Sequence, residues 1–258
     1  MMPATLRMVN DRRTGNTVIR RDRRALTLWS ILIATNLFGT VVAVRLYREP
    51  FSFWLDPFSA LGGIRTMAGQ ENTAALISFV LTMLLAGGTM IGLYFAEERV
   101  AEEPVTGKEL PPFLRALLLI GGLGYWIAAV PYDVVHFAHS VGSGMAVAAL
   151  YGWAIFFLMD MAEVLPHAVT VVLHGALHWS VLAYAILFAA GRPEKQGVQK
   201  CAFLMILFVL LTSVILERRQ QSDKPSAVER RERLRLGGAD RGSVAEAKRV
   251  EYPEPTED

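Results

Sequence analysis

A single cysteine, Cys201, in 258 residues excludes an internal disulfide and any metal centre built from several thiolates. The local patterns of soluble catalysis are missing too: there is no phosphate-cradling glycine loop, no nucleophile elbow and no HExxH. No internal repeat is visible. Charged residues are scarce at 19%, and the formal net charge of +2 says nothing about partners. Nucleic-acid binding is not expected.

What is abundant is apolar. Hydrophobic residues make up 53% of the chain, and the mean hydropathy is positive. They come in uninterrupted blocks of about twenty, the length that crosses a hydrocarbon core near 30 Å thick. Six such blocks run from Leu26 to Val44, Thr73 to Phe95, Phe113 to Val130, Val141 to Met159, Ala168 to Ala190 and Cys201 to Leu216. Backbone groups in lipid must be satisfied within the protein, and blocks without two-residue alternation exclude a barrel. The expected fold is all-α: a polytopic six-helix transmembrane bundle over residues 26–216. A basic arm (1–25) precedes it, and a charged, mostly disordered tail (217–258) follows.

Charge distribution orients the bundle. Arg7, Arg12, Arg13, Arg20, Arg21, Arg23 and Arg24 stand before the first block against only Asp11 and Asp22. By the positive-inside rule this arm stays in the cytoplasm, and six spans return the C-terminus to the same side, where Arg218 and Arg219 follow the last block. The loop GRPEKQGVQK disagrees, because it should lie outside yet carries Arg192, Lys195 and Lys200. RRDRRALTLW has the look of a twin-arginine signal, but its apolar run is long and no small-residue cleavage site follows. An uncleaved signal anchor in the plasma (inner) membrane is the better reading.

Between the blocks, the first external loop is long and apolar, with Phe51, Phe53, Trp54, Phe58 and Leu61 suited to the outer interface. It reads either as an aromatic belt anchoring the second span or as a lid over a cavity opening to the outer leaflet. EERVAEEPVTGKELPP is acidic and cytoplasmic. Asn36, in mid-span, requires a partner on another helix. The tail's Arg-rich first half would suit either anionic headgroups or plain solubility.

The candidate chemistry lies in PYDVVHFAHSVGSG, with Asp133, His136 and His139, and in LHGALHW, with His174 and His178. At about 100° per residue, His167, His174 and His178 share one stripe of the fifth span, with Thr170 and Gly175 close by. Such a stripe is expected to face other helices or a cavity. Asp133, His136, Ser140 and Ser143 make another stripe, and Ser140, Gly144 and Ala148 a small-residue ladder for close packing. An ionised Asp133 belongs at the outer interface beside Pro131 and Tyr132, since mid-membrane burial costs about 2.5–3.5 kcal/mol.

Four readings compete for these side chains. A zinc site needs three or four of Asp133, His136, His139, His174 and His178 within about 2.0–2.2 Å of one ion. A haem needs a histidine from each of two facing helices, such as His139 and His178, with Gly142, Gly144 and Gly175 leaving room. A proton or ion relay would run along the fifth span. The plainest reading is neutral histidines hydrogen-bonding between helices or to headgroups, with no cofactor. The first two share a difficulty of depth, because His178 lies well below the outer end of its span.

The layout resembles the DRAM/FRAG-like six-span membrane proteins and their bacterial relatives of unknown function. Pro57, Ser59 and Gly62 match that group's Pro-x-Ser-x-x-Gly signature, and Asn72 stands at the second span. His136 or His139 matches a histidine near the fourth span, His178-Trp179 a polar-Trp pair in the fifth, and Glu217 a residue closing the sixth. The resemblance covers residues 26–218 and implies roles around lipids: glycolipid-anchor remodelling, lipid organisation, or autophagy in animal members. A weaker similarity, to alkaline-ceramidase-like hydrolases, rests on Asp133, His136, His174 and His178. That group has seven spans, with its HxxxH in the last.

The expectation is therefore a non-catalytic membrane protein that binds or organises membrane lipid. Pro57, Ser59, Gly62 and Asn72 would sit at a cavity under the first loop, and Asp133 with the four histidines would shape a polar interior. The alternatives are a metal-dependent lipid hydrolase and a b-type haem electron carrier using the same residues. Protein partners are not legible.

Overall fold

The computed structural model describes residues 9–10, 17–18, 23–101 and 111–222. The chain up to Glu217 forms one compact unit, and Arg218–Asp258 forms a second, of which only the close of the last helix is described. Most of the basic arm, the acidic segment 102–110 and the tail from 223 lie outside the described residues. The arm contributes one short antiparallel pair, β1 (Val9–Asn10) with β2 (Thr17–Val18).

Six helices follow: α1 (Arg23–Leu46), α2 (Thr73–Ala101), α3 (Pro112–Ala128), α4 (His136–Met161), α5 (His167–Ala189) and α6 (Lys195–Ser222). All but α3 are long and apolar enough to cross a membrane; α3 is a shorter apolar helix of 17 residues. The protein is thus a helical, multi-pass integral membrane protein, as the apolar blocks require. Helix ends differ from block ends because intrahelical hydrogen bonding continues where hydropathy falls. α4 begins at His136 rather than Val141, and α6 at Lys195 rather than Cys201. Six of the ten residues of GRPEKQGVQK are therefore helix.

Successive helices from α1 to α4 pack side by side, and α5 lies against α4. α3 runs antiparallel to α2: Arg115 stacks over the Tyr94 ring at 5.5 Å, while near the other end the Trp126 indole N–H donates to the Leu84 carbonyl at 3.2 Å. α3 and α4 approach backbone to backbone. A Cβ on Gly142 would stand 2.5 Å from the Ala128 nitrogen, and one on Gly124 would stand 2.8 Å from the Gly142 oxygen. The ladder facing inward is Gly142, Ala146 and Ala149, all buried. The expected ladder of Ser140, Gly144 and Ala148 is instead on the exposed face, and nothing lies within 4 Å of a Cβ placed on Gly144.

At the heart of the bundle, Trp29 of α1 meets Trp153 and Phe157 of α4, with ring centroids 5.2 and 5.1 Å apart. The Trp153 indole donates to the Leu114 carbonyl of α3 at 3.1 Å, so this aromatic centre ties three helices. α6 closes it with Ile206, Leu207, Val209, Leu210 and Val214. Asn36 finds the partner its position demands: the Tyr125 hydroxyl of α3 donates to its Oδ1 at 2.8 Å, and its Nδ2 donates to the Leu32 carbonyl.

Candidate functional site

Three connections meet at one end of the bundle: the α1–α2 loop (47–72), the α3–α4 turn (129–135) and the start of α6. The α1–α2 loop is built from its own polar groups. Ser52 N–H donates to the Asp56 carboxylate at 2.6 Å, Glu49 accepts from the Thr66 hydroxyl and the Ala68 N–H, and the Tyr47 hydroxyl accepts from the Met67 N–H. Burial raises Tyr47 above its ordinary range and keeps the phenol neutral. Pro57 opens a 3-10 turn over Phe58–Gly62 that carries the half-buried Ser59, and the Pro57 carbonyl accepts from Ala60 N–H at 3.0 Å.

Asn72, buried at the entry to α2, donates through Nδ2 to the carbonyls of Ala60, Leu61 and Gly63. Gly62 is pressed against Phe79 of α2, where a Cβ would come within 2.6 Å of the ring. Leu61, Ala60 and Phe79 are buried beneath. Pro57, Gly62 and Asn72 thus stitch the loop down onto α2, and at Gly62 itself the Phe79 ring takes up the adjoining space.

Asp133 stands in the α3–α4 turn, at the end of the bundle as its charge demands. Its carboxylate accepts the Ile64 and Arg65 N–H groups at 2.9 and 3.1 Å. His139 is buried one turn into α4. Its Nδ1 bonds the Val130 carbonyl at 2.9 Å, and its ring stacks on Phe79 at 6.0 Å. Tyr132 lies between His136 and His139, 6.3 Å from each ring, and against Gly63. His136 itself is exposed.

His174 and His178 belong elsewhere. Their rings stack at 5.7 Å, and His178 Nδ1 bonds the Tyr151 hydroxyl at 2.5 Å. Tyr151 comes twelve residues after His139 along α4, about 18 Å down its axis. The expected set of Asp133, His136, His139, His174 and His178 therefore splits into an end group and a mid-helix pair, and only His139 is buried. Among the described residues no three His, Cys, Asp or Glu side chains come together to hold a metal ion. The same separation keeps His139 and His178 from facing one another, and α3 fills the space at Gly142.

The sequence reading missed Lys200. Fully buried on α6, its ammonium donates to the Phe53 carbonyl at 2.6 Å and to the Asp56 carbonyl. It sits 5.2–5.3 Å from the ring centres of Phe51, Phe53 and Phe58, an aromatic cage that replaces its water shell. Gly197, one turn earlier, lets Trp54 lie against the helix backbone and donates its N–H to the Trp54 carbonyl. The signal was present as three phenylalanines in one loop and a lysine at the mouth of an apolar run.

The cap that results buries one side of the loop and exposes the other. Trp54, although it lies along α6 at Gly197, is 56% exposed, and Leu55, Ile64 and Met67 (62%) are exposed as well, with Arg48 and Arg65. Compared with known proteins, the chain matches no family model, no curated protein and no solved structure.

Proposed function

We propose that the protein is a non-catalytic lipid-binding protein of the plasma (inner) membrane. Its six helices all cross the bilayer with both termini cytoplasmic, and the outer surface of the α1–α2 cap engages phospholipid. The reading keeps the resemblance to DRAM/FRAG-like proteins as a proposal and moves the lipid contact from beneath the loop to its outward side. One observation carries it: a tightly hydrogen-bonded loop leaves Trp54, Leu55, Ile64 and Met67 exposed, together with two cations of the same loop, Arg48 and Arg65. Rigid apolar groups next to cations suit the boundary between acyl chains and phosphates.

The charge pattern supports the topology. Within GRPEKQGVQK, Arg192 pairs with Glu194 at 3.5 Å and Lys200 is caged within the cap, so the loop carries less free positive charge than its composition suggests. α3 lies alongside α2 from the level of Tyr94 to that of Leu84 and leads to the same end as the cap, which supports counting it as a span.

The test is native mass spectrometry of the detergent-purified protein with added phospholipid, with tags at each terminus probed from either side of sealed vesicles. The wild type is expected to retain phospholipid, and Trp54→Ser with Arg65→Ala to lose most of it while its helical signal is unchanged. Equal retention by the variant rejects the cap as the site. A terminus reached from outside rejects the six-span topology.

A further inference from the structure

We infer that the exposed face of α5 is the contact between two copies of this chain in the membrane, with His174 and His178 at its centre. Of the 23 residues of α5, only Thr170 and Leu177 are buried. The His167, His174 and His178 stripe was expected to face other helices or a cavity. His178 meets one side chain of a neighbouring helix, Tyr151 of α4, through a hydrogen bond, while His167 and His178 are exposed and His174 is half-buried. Among the described residues His174 has a ring contact with His178 and no hydrogen bond.

Position decides what covers this face. His178 is eleven residues from His167 and eleven from Ala189, the middle of the helix, about 16 Å from either end. His174 is seven residues in, about 10 Å. Headgroups do not reach such depths, and acyl chains offer neither donor nor acceptor, so lipid leaves the pair unsatisfied. A protein surface must supply the partners.

The chemistry of the patch favours a second copy of itself. A neutral imidazole carries one donor and one acceptor, so a face presenting two of them is complementary to the same face turned through a two-fold axis. The Tyr151 bond uses Nδ1 of His178 and leaves its Nε2, with both nitrogens of His174, available to the other copy. Gly175, about 60° round the helix from His178, has nothing within 4 Å of a Cβ placed on it, open space in which a second helix can approach closely. Val171 and Leu182, both exposed, extend the contact on either side. This inference stands apart from lipid binding at the cap and requires only that α5 crosses the membrane.

Two measurements test it on the full chain. With Cys201→Ser removing the native thiol, Gly175→Cys should oxidise to a covalent dimer in native membranes. Leu85→Cys, an exposed position on α2, should stay monomeric. In liposomes, counting photobleaching steps of singly labelled protein should show two-step particles for the wild type. The double variant His174→Leu/His178→Leu, which turns the face into ordinary lipid-facing surface, should dimerise roughly tenfold more weakly while keeping its helical signal. Single-step bleaching of the wild type at every protein-to-lipid ratio overturns the inference, including the case in which a different protein covers the face. Equal association of wild type and double variant overturns it too, as does cross-linking at Leu85 equal to that at Gly175.

Discussion

The carboxylate of Asp133 receives the backbone N–H of Ile64, 69 residues earlier in the chain, and so pins the α1–α2 cap to the α3–α4 turn. Arg65 N–H joins it at 3.1 Å. Two adjacent amides on one carboxylate form a small anion nest, stronger than neutral hydrogen bonds but weakened here by exposure to solvent. Asp133→Asn keeps the shape and removes the charge, so it is expected to cost about 1 kcal/mol. Limited trypsin cleavage at Arg65 should speed up in the variant while the helical signal holds; unchanged cleavage would mean the turn does not hold the cap.

Lys200 fastens the other side of the same cap. Its ammonium should resist amine-reactive reagents in the folded protein and label only on denaturation, whereas Lys195, partly exposed, should label at once. Lys200→Met keeps the stem but leaves the Phe53 and Asp56 carbonyls without their donor, at a cost of about 1–3 kcal/mol. Thermal unfolding in detergent reads the loss. Rapid labelling of Lys200 in the native protein would rule out the cage.

How much of this was legible in the chain follows from which forces are local. Long apolar blocks announce helices because lipid leaves the backbone no other partner, and that reasoning located all six. It also required a partner for Asn36 and an end position for Asp133, both of which the structure supplies. What a helix turns toward its neighbours is not local. Along α4, Ser140/Gly144/Ala148 and Gly142/Ala146/Ala149 are both small-residue rows, and hydropathy does not choose between them when both faces are apolar. Periodicity likewise placed His174 and His178 on one face of α5 without saying what that face meets. Lys200 looked like a loop charge because its partners, Phe53 and Asp56, are more than 140 residues away.

The Asn36–Tyr125 bond is a side-chain bridge between α1 and α3 in the apolar interior. Tyr125→Phe removes the donor and leaves Asn36 Oδ1 buried with nothing to accept from. The expected loss is about 0.6–1.7 kcal/mol, the range measured for interhelical bonds in membranes. Asn36→Leu in the same protein removes the orphaned group, so the double variant should regain part of that loss. A double-mutant cycle of melting temperatures checks the coupling. Strict additivity would show that the two side chains do not depend on each other.

Gly142 and Gly144 are two residues apart on α4 and should respond in opposite ways to the same change. At Gly142 a methyl group would stand 2.5 Å from the Ala128 nitrogen and 2.6 Å from the Gly124 oxygen, atoms of a backbone that cannot step aside without parting α3 from α4. Gly142→Ala is therefore expected to destabilise the bundle by about 1–3 kcal/mol, the usual cost of overpacking. At Gly144 the added methyl meets no atom within 4 Å. Alanine restricts the unfolded chain and favours helix, so Gly144→Ala should leave stability unchanged or raise it by up to about 1 kcal/mol. Melting temperatures of the two single variants, measured side by side in the same detergent, decide the register of α4. A reversed order would mean that Ser140, Gly144 and Ala148 face α3 after all.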